Sequence, residues 1–276
     1  MSPRVATPLA FSRPNAAWLI APRPEPTPPV AVSLLTWNVW FGGHKFEQRR
    51  AALAETLSAR RPDVIVLQEA TPELLYTLAV EDWVRDGYQV SDATGRTLGD
   101  YGILLLSRIA IERLWFLELP TTMGRALLVA ELSCGLTVAT AHLESMGHSA
   151  SLRAEQLGLI QSALAVSPDV VLAGDMNFAP DDPEENAVLD PGLVDVWPAL
   201  RPGEPGYTVD STANPMRTQV KSKLTHKRID RIFMRGPTFR PRSIELVGTE
   251  AIDADGTFPS DHFGLVVELG VRETIG

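Results

Sequence analysis

The feature of this sequence that most constrains its fold is an internal echo. Two eight-residue segments, 62–69 and 168–175, each begin with Pro-Asp, continue as a largely apolar run and end in a carboxylate, Glu69 or Asp175. Short apolar runs of this kind, rich in β-branched residues, are typical of buried strands. The echo therefore predicts two buried strands that each deliver an acidic side chain at the strand end.

The echo extends backwards through one helix in each half. Apolar residues recur with helical spacing over Arg49–Arg60, just before Pro62, and over Ser151–Ala165, just before Pro168. A proline ends a helix near the residue that precedes it. Each acidic strand is therefore predicted to follow a helix.

A further strand precedes each helix and ends in a polar side chain, Asn38 in the first half and His142 in the second. Asn38 precedes Glu69 by 31 positions, and His142 precedes Asp175 by 33. Two β-helix-β halves can pack sheet against sheet with their helices outside. We predict an α/β fold, a four-layer α/β sandwich of two packed mixed β-sheets flanked by helices, with these polar strand ends at one rim.

The length and composition are those of one domain with an extended beginning. A chain of 276 residues that is 45% hydrophobic can bury a single large core. Residues 1–30 are rich in proline, with five prolines between positions 22 and 29, which favour extended polyproline backbone. We predict a proline-rich N-terminal arm over residues 1–30 and one domain over residues 31–276.

Cysteine content and hydropathy indicate the compartment. The single Cys134 cannot form an internal disulfide, and no stretch has 18 uninterrupted apolar residues. Pro8 and Pro14 interrupt the apolar residues near the start, so a secretory signal is not indicated. We predict a cytoplasmic protein without a membrane span; a cryptic targeting function of residues 1–30 stays an alternative.

Charge is unevenly distributed. The net charge of −9 argues against binding of polyanions in general. Residues 214–243, the basic tract, nevertheless contain nine basic residues and one acidic residue, Asp230. The basic residues are Arg217, Lys221, Lys223, Lys227, Arg228, Arg231, Arg235, Arg240 and Arg242. A solvated face is the alternative, but the position beside Asp230 favours phosphate contact, with Lys227 and Arg228 as predicted substrate-binding residues.

Glu69 and Asp175 are the first candidates for chemistry. Mg²⁺ prefers hard oxygen ligands and is often held by one or two carboxylates, with water and substrate phosphate completing the octahedron. A single acidic residue at a strand end more often caps a turn or a helix. Two of them at matching positions of the echo indicate a metal and phosphate site.

Histidines supply the second set of candidates. In the strand that ends at His142, alternation places Val138, Thr140 and His142 on one face, so the ring can reach a phosphate at the rim. A carboxylate that accepts a hydrogen bond from a histidine ring fixes its tautomer and stabilises its protonated form. Asp230 and His262 are a hypothetical pair of this kind; a buried histidine bonded to a backbone carbonyl is the alternative.

The ordered set of motifs resembles the endonuclease/exonuclease/phosphatase superfamily of metal-dependent phosphoesterases. Any one motif is weak, but together they span residues 33 to 269 in the family's order. The matching residues are Thr36-Trp-Asn38, Leu67-Gln-Glu69, Tyr101, Leu106-Ser-Arg108, Thr140-Ala-His142, Gly174-Asp-Met-Asn177, Arg228-Ile-Asp230 and Ser260-Asp-His262. The resemblance implies a catalytic domain over residues 31–276.

The second half is similar to the tyrosyl-DNA phosphodiesterase 2 branch of that superfamily. The similar stretches are His142-Leu-Glu-Ser145, Val194-Asp-Val-Trp197, Tyr207-Thr208, Asp230-Arg-Ile-Phe233 and Phe258-Pro-Ser-Asp-His262. Two positions depart from the branch. Ala179 stands where the branch has an arginine for the substrate phosphate, and Val209 stands where it has a tryptophan in the DNA groove.

The resemblance implies a role for each site residue and a magnesium ion, with Mn²⁺ as a substitute. The implied metal ligands are Glu69, Asn38 and Asp261. The implied catalytic residues are Asp175, which orients or deprotonates water, Asn177, His142, His262 with its partner Asp230, and Tyr101, which adds a hydrogen bond to the phosphate. Whether Asp175 or His262 is the base stays open.

The expected activity is hydrolysis of a terminal phosphodiester, with a 5′-tyrosyl-DNA bond as the favoured substrate and a 5′-phosphate as the product. A role in DNA repair would follow from that substrate. The alternatives are a phosphoesterase or nuclease acting on a small phosphoester, a phospholipid headgroup or abasic DNA. A non-catalytic binding module on the same scaffold is the alternative from another functional class.

Overall fold

The computed structural model describes residues 2–220 and 224–272, apart from the side chains of residues 219 and 220. Two mixed β-sheets pack face to face, with helices on their outer surfaces, so the predicted four-layer α/β sandwich is confirmed. Within the described residues no helix is both long enough and apolar enough to cross a membrane.

The first sheet has seven strands. In spatial order they are β1 (Arg4–Ala6), β8 (Ile111–Glu118), β9 (Ala126–Leu132), β10 (Thr137–His142), β11 (Val170–Asp175), β15 (Asp230–Arg235) and β12 (Val194–Asp195). Strands β10 and β11 run parallel, and the other neighbours are antiparallel. The parallel pair is the strand pair of the second half of the echo.

The second sheet has eight strands. In spatial order they are β16 (Phe239–Val247), β17 (Gly264–Val271), β4 (Val32–Asn38), β5 (Val64–Ala70), β7 (Gly102–Ser107), β6 (Gln89–Val90), β2 (Leu9–Ser12) and β3 (Ala17–Ile20). Its parallel pair, β4 and β5, is the first half of the echo. A separate hairpin-like pair joins β13 (Val209–Asp210) to β14 (His226–Lys227).

Both predicted helices are present. They are α1 (Phe46–Arg60) and α4 (Ala150–Leu164); the others are α2 (Pro72–Val80), α3 (Asp82–Gly87), α5 (Pro183–Ala187), α6 (Val196–Leu200), α7 (Met216–Val220) and a 3₁₀ turn at Gly147–Ser149. Arg61 ends α1 in the left-handed conformation, and Pro62 follows it. Thr71 caps α2 by accepting a hydrogen bond from the Leu74 N–H. Pro72 occupies the first turn, where the N–H that proline lacks would have no partner within the helix.

The core lies in three layers. Val66 and Leu105 of the second sheet meet Val138 and Val171 of the first sheet between the two sheets. Two further apolar clusters fill the space between each sheet and its helices. Full burial of each such side chain stabilises the fold by about 1.5–3 kcal/mol. Because both faces of the central strands are covered, their sequences are nearly continuous apolar runs.

The predicted arm needs correction for residues 4–20. Strand β1 pairs with β8, while β2 and β3 form a hairpin that joins β6, so the beginning of the chain contributes to both sheets. Pro3, Pro8 and Pro14 fall outside the strands, at positions where the missing N–H breaks no ladder. Residues 22–31, which hold the five closely spaced prolines, contain no helix or strand.

The two halves of the echo meet at one rim. Asn38 lies beside Gln68 in the register of β4 and β5, and His142 lies beside Asp175 in the register of β10 and β11. Gln68 joins the halves through the core, since its Nε2 donates to Thr140 Oγ1 at 3.0 Å. The sandwich therefore brings the polar strand ends together, as the echo predicts.

Candidate active site

Glu69 lies at an irregularity near the end of strand β5. The pairing register with β7 shifts between Leu67 and Ala70, and Glu69 has a positive φ of 58°. Its Oε1 accepts a hydrogen bond from Asn38 Nδ2 at 3.1 Å, and its Oε2 accepts one from the Phe41 N–H at 3.1 Å. Burial raises the pKa of this carboxyl. The side chain still keeps 14% exposure, so the carboxylate faces the open rim.

Asn38 connects the carboxylates of the two halves. Its Nδ2 donates both to Glu69 and, at 2.9 Å, to Asp175 Oδ2. Its Oδ1 accepts a hydrogen bond from the Trp40 N–H at 3.0 Å, which fixes the orientation of the amide. The nitrogen of Asn38 therefore faces the two acids. Its role as a metal ligand stays a prediction.

Asp175 is almost fully buried, at 2% exposure. Its Oδ1 accepts a hydrogen bond from the Asn177 N–H at 2.9 Å. Burial, followed by the nearby charge of Asp230, raises the pKa of Asp175 to about 6. Asn177 adopts a positive φ of 54° and donates its Nδ2 to the Leu143 carbonyl at 3.0 Å. A carboxylate with a pKa near neutrality can accept a proton from water.

His142 is a neutral donor. Arg125 Nη1 lies 3.0 Å from His142 Nδ1, and because a guanidinium only donates, Nδ1 accepts and Nε2 carries the ring proton. Burial, then the charge of Arg125, lowers the pKa of His142 well below its ordinary value. Nε2 lies 3.4 Å from Asp175 Oδ2 and 4.0 Å from Glu69 Oε1. The proton of this ring therefore points into the site.

His262 and Asp230 form the pair proposed from the sequence. His262 Nδ1 donates to Asp230 Oδ2 at 2.8 Å, and both side chains are buried. Burial alone lowers the pKa of His262, but the charges of Asp230 and Asp261 outweigh it and raise the pKa to about 10. Thr208 supports the pair, since its Oγ1 accepts the Asp230 N–H at 3.1 Å. His262 is thus held as a cation.

Asp261 and Asp230 each carry one buried oxygen that accepts no hydrogen bond from the residues that the structure describes. Asp261 Oδ2 accepts a hydrogen bond from Arg217 Nη1. Asp261 Oδ1 and Asp230 Oδ1 have no hydrogen-bond partner within the described part of the chain. Buried polar atoms are rarely left unsatisfied in proteins. Water or a cation is the expected partner at these oxygens.

The donor set fits a hard divalent cation. Glu69 and Asp261 supply carboxylate oxygens, and Asn38 has a second lone pair on the amide oxygen that accepts the Trp40 N–H. Mg²⁺ and Mn²⁺ accept oxygen ligands of these kinds. Ligand atoms of Asp175, Asp230 and His262 also lie within 4.8 Å of one another. The hydrogen bond that joins Asp230 to His262 occupies one atom of each, which favours proton handling over metal ligation in this second group.

A cavity of about 300 Å³, the rim cavity, opens beside His142. Its lining includes Arg4, Leu98, Tyr101, Phe116, Glu118, Met123, Arg125 and His142. The Tyr101 ring stacks on Phe41, with centroids 4.3 Å apart and planes within 3°. The Arg125 guanidinium lies 5.9 Å from the Tyr101 centroid. The predicted site residue Tyr101 therefore lies on the wall of a pocket that reaches the catalytic rim.

The two predicted substrate-binding residues lie apart from these groups. Arg228 is buried, and its Nη1 donates to both oxygens of Asp195 at 2.9 and 2.8 Å. Lys227 is exposed, 3.5 Å from Asp182. It lines a second cavity of about 570 Å³, the groove cavity, to which Asn177 and Arg217 also contribute. Their contact with substrate stays a prediction; Lys221 and Lys223 lie outside the described residues.

The two residues that depart from the pattern of the branch, Ala179 and Val209, lie next to each other in the fold. Ala179 and Val209 are both buried and form a small apolar cluster with Ile229. Val209 belongs to β13, which pairs with the strand that carries Lys227. An arginine and a tryptophan are thus replaced by side chains that contact one another.

Sequence patterns did not assign two arginines to the site. Arg125 lies just before β9 and gave no sequence signal, because its contact with His142 depends on the pairing of β9 with β10. Arg49 is buried in α1, where it donates to the backbone carbonyls of Trp40 and Gly42. It holds the loop whose Phe41 N–H bonds to Glu69. An arginine on an amphipathic helix is ordinarily solvent-exposed, which hid this role.

Sequence comparison with known proteins identifies a family and similar relatives. Residues 35–262 match the Endonuclease/Exonuclease/phosphatase family. Tyrosyl-DNA phosphodiesterase 2 from Gallus gallus is 31% identical over 87% of this chain and 67% of that protein. The protein of the same name from Homo sapiens is 31% identical over 87% of this chain and 68% of that protein. The chain thus spans about two thirds of the length of these relatives.

Solved structures agree with the sequence comparison. D. rerio TDP2 complexed with single strand DNA product superposes with a TM-score of 0.75 at 29% identity, covering 87% of this chain and 99% of that chain. A family protein from Bacteroides thetaiotaomicron, at 17% identity and a TM-score of 0.69 over 90% of this chain and 100% of that chain, shares the fold. The predicted membership and the predicted similarity to tyrosyl-DNA phosphodiesterase 2 are confirmed. The chain belongs to the endonuclease/exonuclease/phosphatase family.

Proposed function

We propose that this chain is a Mg²⁺-dependent phosphodiesterase that hydrolyses 5′-tyrosyl-DNA bonds and leaves a 5′-phosphate. One observation carries the proposal. The sandwich brings an open carboxylate, Glu69, a buried carboxylate of raised pKa, Asp175, and a cationic histidine, His262, to one rim. The relatives' name and the DNA product held by the D. rerio protein support the choice of substrate.

Glu69, Asn38 and Asp261 would hold the metal ion. When bound, Mg²⁺ supplies Lewis-acid stabilisation of the charge that develops on the phosphoryl oxygens. Mn²⁺ accepts the same oxygen ligands and is expected to substitute. Asp261 Oδ1 supports this assignment, because it is buried and accepts no hydrogen bond from the described residues, and His262 Nε2 lies 4.0 Å away.

Asp175 would act as the base. Asn38 and the Asn177 N–H each bond one of its oxygens, which orients the carboxylate, and its pKa near 6 suits proton transfer at neutral pH. The water oxygen forms a bond to phosphorus, its proton passes to Asp175, and the bond from phosphorus to the tyrosyl oxygen breaks. The DNA keeps the 5′-phosphate, and tyrosine leaves as the phenolate, which takes up a proton from solvent.

The two histidines would stabilise the charge of the transition state. His262, protonated with the support of Asp230, donates to a phosphoryl oxygen. His142 donates through Nε2, because Arg125 occupies Nδ1. Preorganised donors of this kind commonly provide a large part of a phosphoryl-transfer rate gain. Asn177 and Tyr101 would add hydrogen bonds to the phosphate. A cation held at pH 7 cannot also be the base, which favours Asp175 over His262.

The second candidate function keeps the same chemistry on a small phosphoester. The apolar cluster of Ala179, Val209 and Ile229 favours it, since two DNA-contacting residue types of the branch are absent there. The net charge of −9 also favours a small phosphoester over DNA, because DNA is a polyanion. The exposed Lys227 at the groove cavity favours DNA instead.

The test is hydrolysis of a 5′-tyrosyl oligonucleotide by the purified chain with Mg²⁺, beside a panel of small phosphoesters. We expect release of tyrosine that EDTA abolishes and that Glu69→Gln slows about 10³-fold. Glu155→Gln, an exposed change on α4, serves as the matched control. Turnover of a small phosphoester without tyrosine release would favour the second candidate function.

The cytoplasmic location stays a prediction, which cell fractionation would test.

A further inference from the structure

Arg49 is a buried cation without an acidic partner. It lies on α1 and keeps 1% exposure. Over residues 2–220 and 224–272 no carboxylate forms an ion pair with it, whereas the buried Arg153 pairs with Glu185. An ion buried without a counter-charge is costly unless its donors are satisfied in another way. The backbone groups that satisfy Arg49 therefore indicate what it is kept for.

Most of these groups belong to one short segment, 40–44. Arg49 Nε donates to the His44 carbonyl at 2.8 Å, Nη1 donates to the Trp40 carbonyl at 3.2 Å, and Nη2 donates to the Gly42 carbonyl. The guanidinium also lies 4.3 Å from the centroid of the Trp40 ring. The segment contains no helix or strand, so Arg49 supplies hydrogen bonds that no sheet or helix provides there.

The same guanidinium joins the surroundings of two acids. In segment 40–44 the Phe41 N–H donates to Glu69 Oε2 at 3.1 Å, and Arg49 and Glu69 line one small cavity. Arg49 Nη1 also donates to the Pro259 carbonyl at 3.3 Å, two residues before Asp261. One side chain therefore connects the segment that bonds Glu69 to the segment that carries Asp261.

We propose that Arg49 is a positioning residue for the metal ion, because its guanidinium holds together the two segments that place Glu69 and Asp261. This rests on the proposed function, in which both carboxylates bind Mg²⁺. Loss of a group that orients the ligands without touching the metal commonly lowers metal affinity about 10- to 100-fold. A planar guanidinium with five donors can serve two segments at once, whereas a lysine has one nitrogen.

A second link between the same parts of the chain lies nearer the surface. Lys45 Nζ lies 2.8 Å from Asp253 Oδ2 and 2.7 Å from Asp255 Oδ2, and the Asp255 side chain is 81% exposed. Ion pairs of this kind contribute little, because water screens them. Neither aspartate is next to an implied metal ligand in the sequence. We therefore expect the metal site to depend on the buried Arg49 and not on Lys45.

The test is a calorimetric titration of the full chain with MgCl₂. Arg49→Lys keeps the charge and removes the planar set of donors, and we expect it to raise the Kd for Mg²⁺ about tenfold. Arg50→Lys is the matched control, the same change at the next residue, which pairs with Glu47 within the helix. Arg50→Lys and Lys45→Met should both bind Mg²⁺ as wild type does.

The Mg²⁺ dependence of hydrolysis separates positioning from a packing defect. In Arg49→Lys the Mg²⁺ concentration that gives half-maximal activity should rise by the same factor as the calorimetric Kd. A packing defect alone would lower the maximal rate and leave that concentration unchanged. Thermal unfolding of each variant without Mg²⁺ shows whether it is folded.

Two neighbouring glycines probe the same contact without altering a buried charge. A Cβ at Gly42 would lie 2.4 Å from the Trp40 ring, so the ring beside the Arg49 guanidinium must move. A Cβ at Gly43 meets nothing within 4 Å. Gly42→Ala should therefore weaken Mg²⁺ binding, by a smaller factor than Arg49→Lys, and Gly43→Ala should not.

Two failures are distinguishable. If the wild-type chain binds no Mg²⁺, the metal dependence in the proposed function fails, and this inference fails with it. If the wild-type chain binds Mg²⁺ and folded Arg49→Lys has the same Kd, only the inference is overturned. Should Arg49→Lys not fold, equal Kd values for Gly42→Ala and Gly43→Ala overturn it instead.

Discussion

The two halves of the echo place their carboxylates in different environments. Glu69 lies where the register with β7 shifts, has a φ of 58° and keeps 14% exposure. Asp175 stays in regular pairing with His142 and Asp230 and keeps 2% exposure. One sequence pattern therefore delivers one acid to the open rim, where a cation can bind, and one to the interior, where its pKa rises.

The residue before each acid explains the difference. Gln68 uses its side chain between the sheets, where it donates to Thr140 and Thr36. Gly174, its counterpart, has a φ of 153°, and a Cβ there would lie 2.0 Å from the Ala141 carbonyl oxygen. Only glycine lets β11 approach β10 this closely. The approach keeps Asp175 beside His142, and the irregular turn at Glu69 releases that side chain outward.

The largest expected effects separate the two acids. Glu69→Gln and Asp175→Asn should each lower kcat by about 10³-fold, the loss typical when one such group is removed. Glu69→Gln should also weaken Mg²⁺ binding in a calorimetric titration, because the open carboxylate is a ligand. Asp175→Asn should bind Mg²⁺ nearly as wild type does. Equal loss of metal binding in both variants would contradict the division of roles.

The next largest effect is the loss of kcat when His262, which is bonded to Asp230, is removed. His262→Ala should lower kcat about 10²- to 10³-fold, as expected for a positioned charged donor. Because Asp230 acts through the histidine, the double variant Asp230→Asn/His262→Ala should be no slower than His262→Ala. Single-turnover kinetics of the three variants would show this, and additive losses would mean that Asp230 acts independently.

The stability of the second half depends on Gly174. Gly174→Ala should lower the free energy of unfolding by about 2–4 kcal/mol, because the new methyl group meets the Ala141 backbone in a left-handed conformation. Gly158→Ala is the matched control, in the exposed middle of α4 with nothing within 4 Å of the new atom, and should gain about 0.5–1 kcal/mol. Urea unfolding measures both. Equal changes would contradict the close approach of β10 and β11.

The smallest effect tests Arg125. Arg125→Met should lower kcat about tenfold, since His142 loses the donor that keeps the proton on Nε2. Arg113→Met, an exposed change on the same sheet, should leave kcat unchanged. A steady-state assay at saturating substrate distinguishes them, and wild-type kcat for Arg125→Met would remove Arg125 from the site.

Sequence patterns predicted the features of the fold that depend on residues close together in the chain. The echo gave the two parallel strand pairs, their helices and the common rim, because each follows from short-range periodicity and strand parity. The family motifs gave the hydrogen-bonded pair of Asp230 and His262, which periodicity left as a hypothesis. Proline content suggested an arm where the chain forms three strands, because composition cannot tell a proline between strands from one in a linker.

Long-range pairing was beyond prediction. Arg228 looked available to substrate, yet Asp195, 33 residues away, accepts two hydrogen bonds from it. Arg125 and Arg4 reach the rim cavity only through the order of strands in the first sheet. No spacing in the sequence encodes those neighbours, since they depend on which strand edges meet.

The most direct test of the central claim is a single turnover of a 5′-tyrosyl oligonucleotide in ¹⁸O-labelled water with Mg²⁺. If water attacks phosphorus at this rim, the 5′-phosphate gains one labelled oxygen and the released tyrosine gains none. Mass spectrometry measures both products. Label in the tyrosine hydroxyl, or no cleavage under conditions where a small phosphoester is hydrolysed, would contradict the claim.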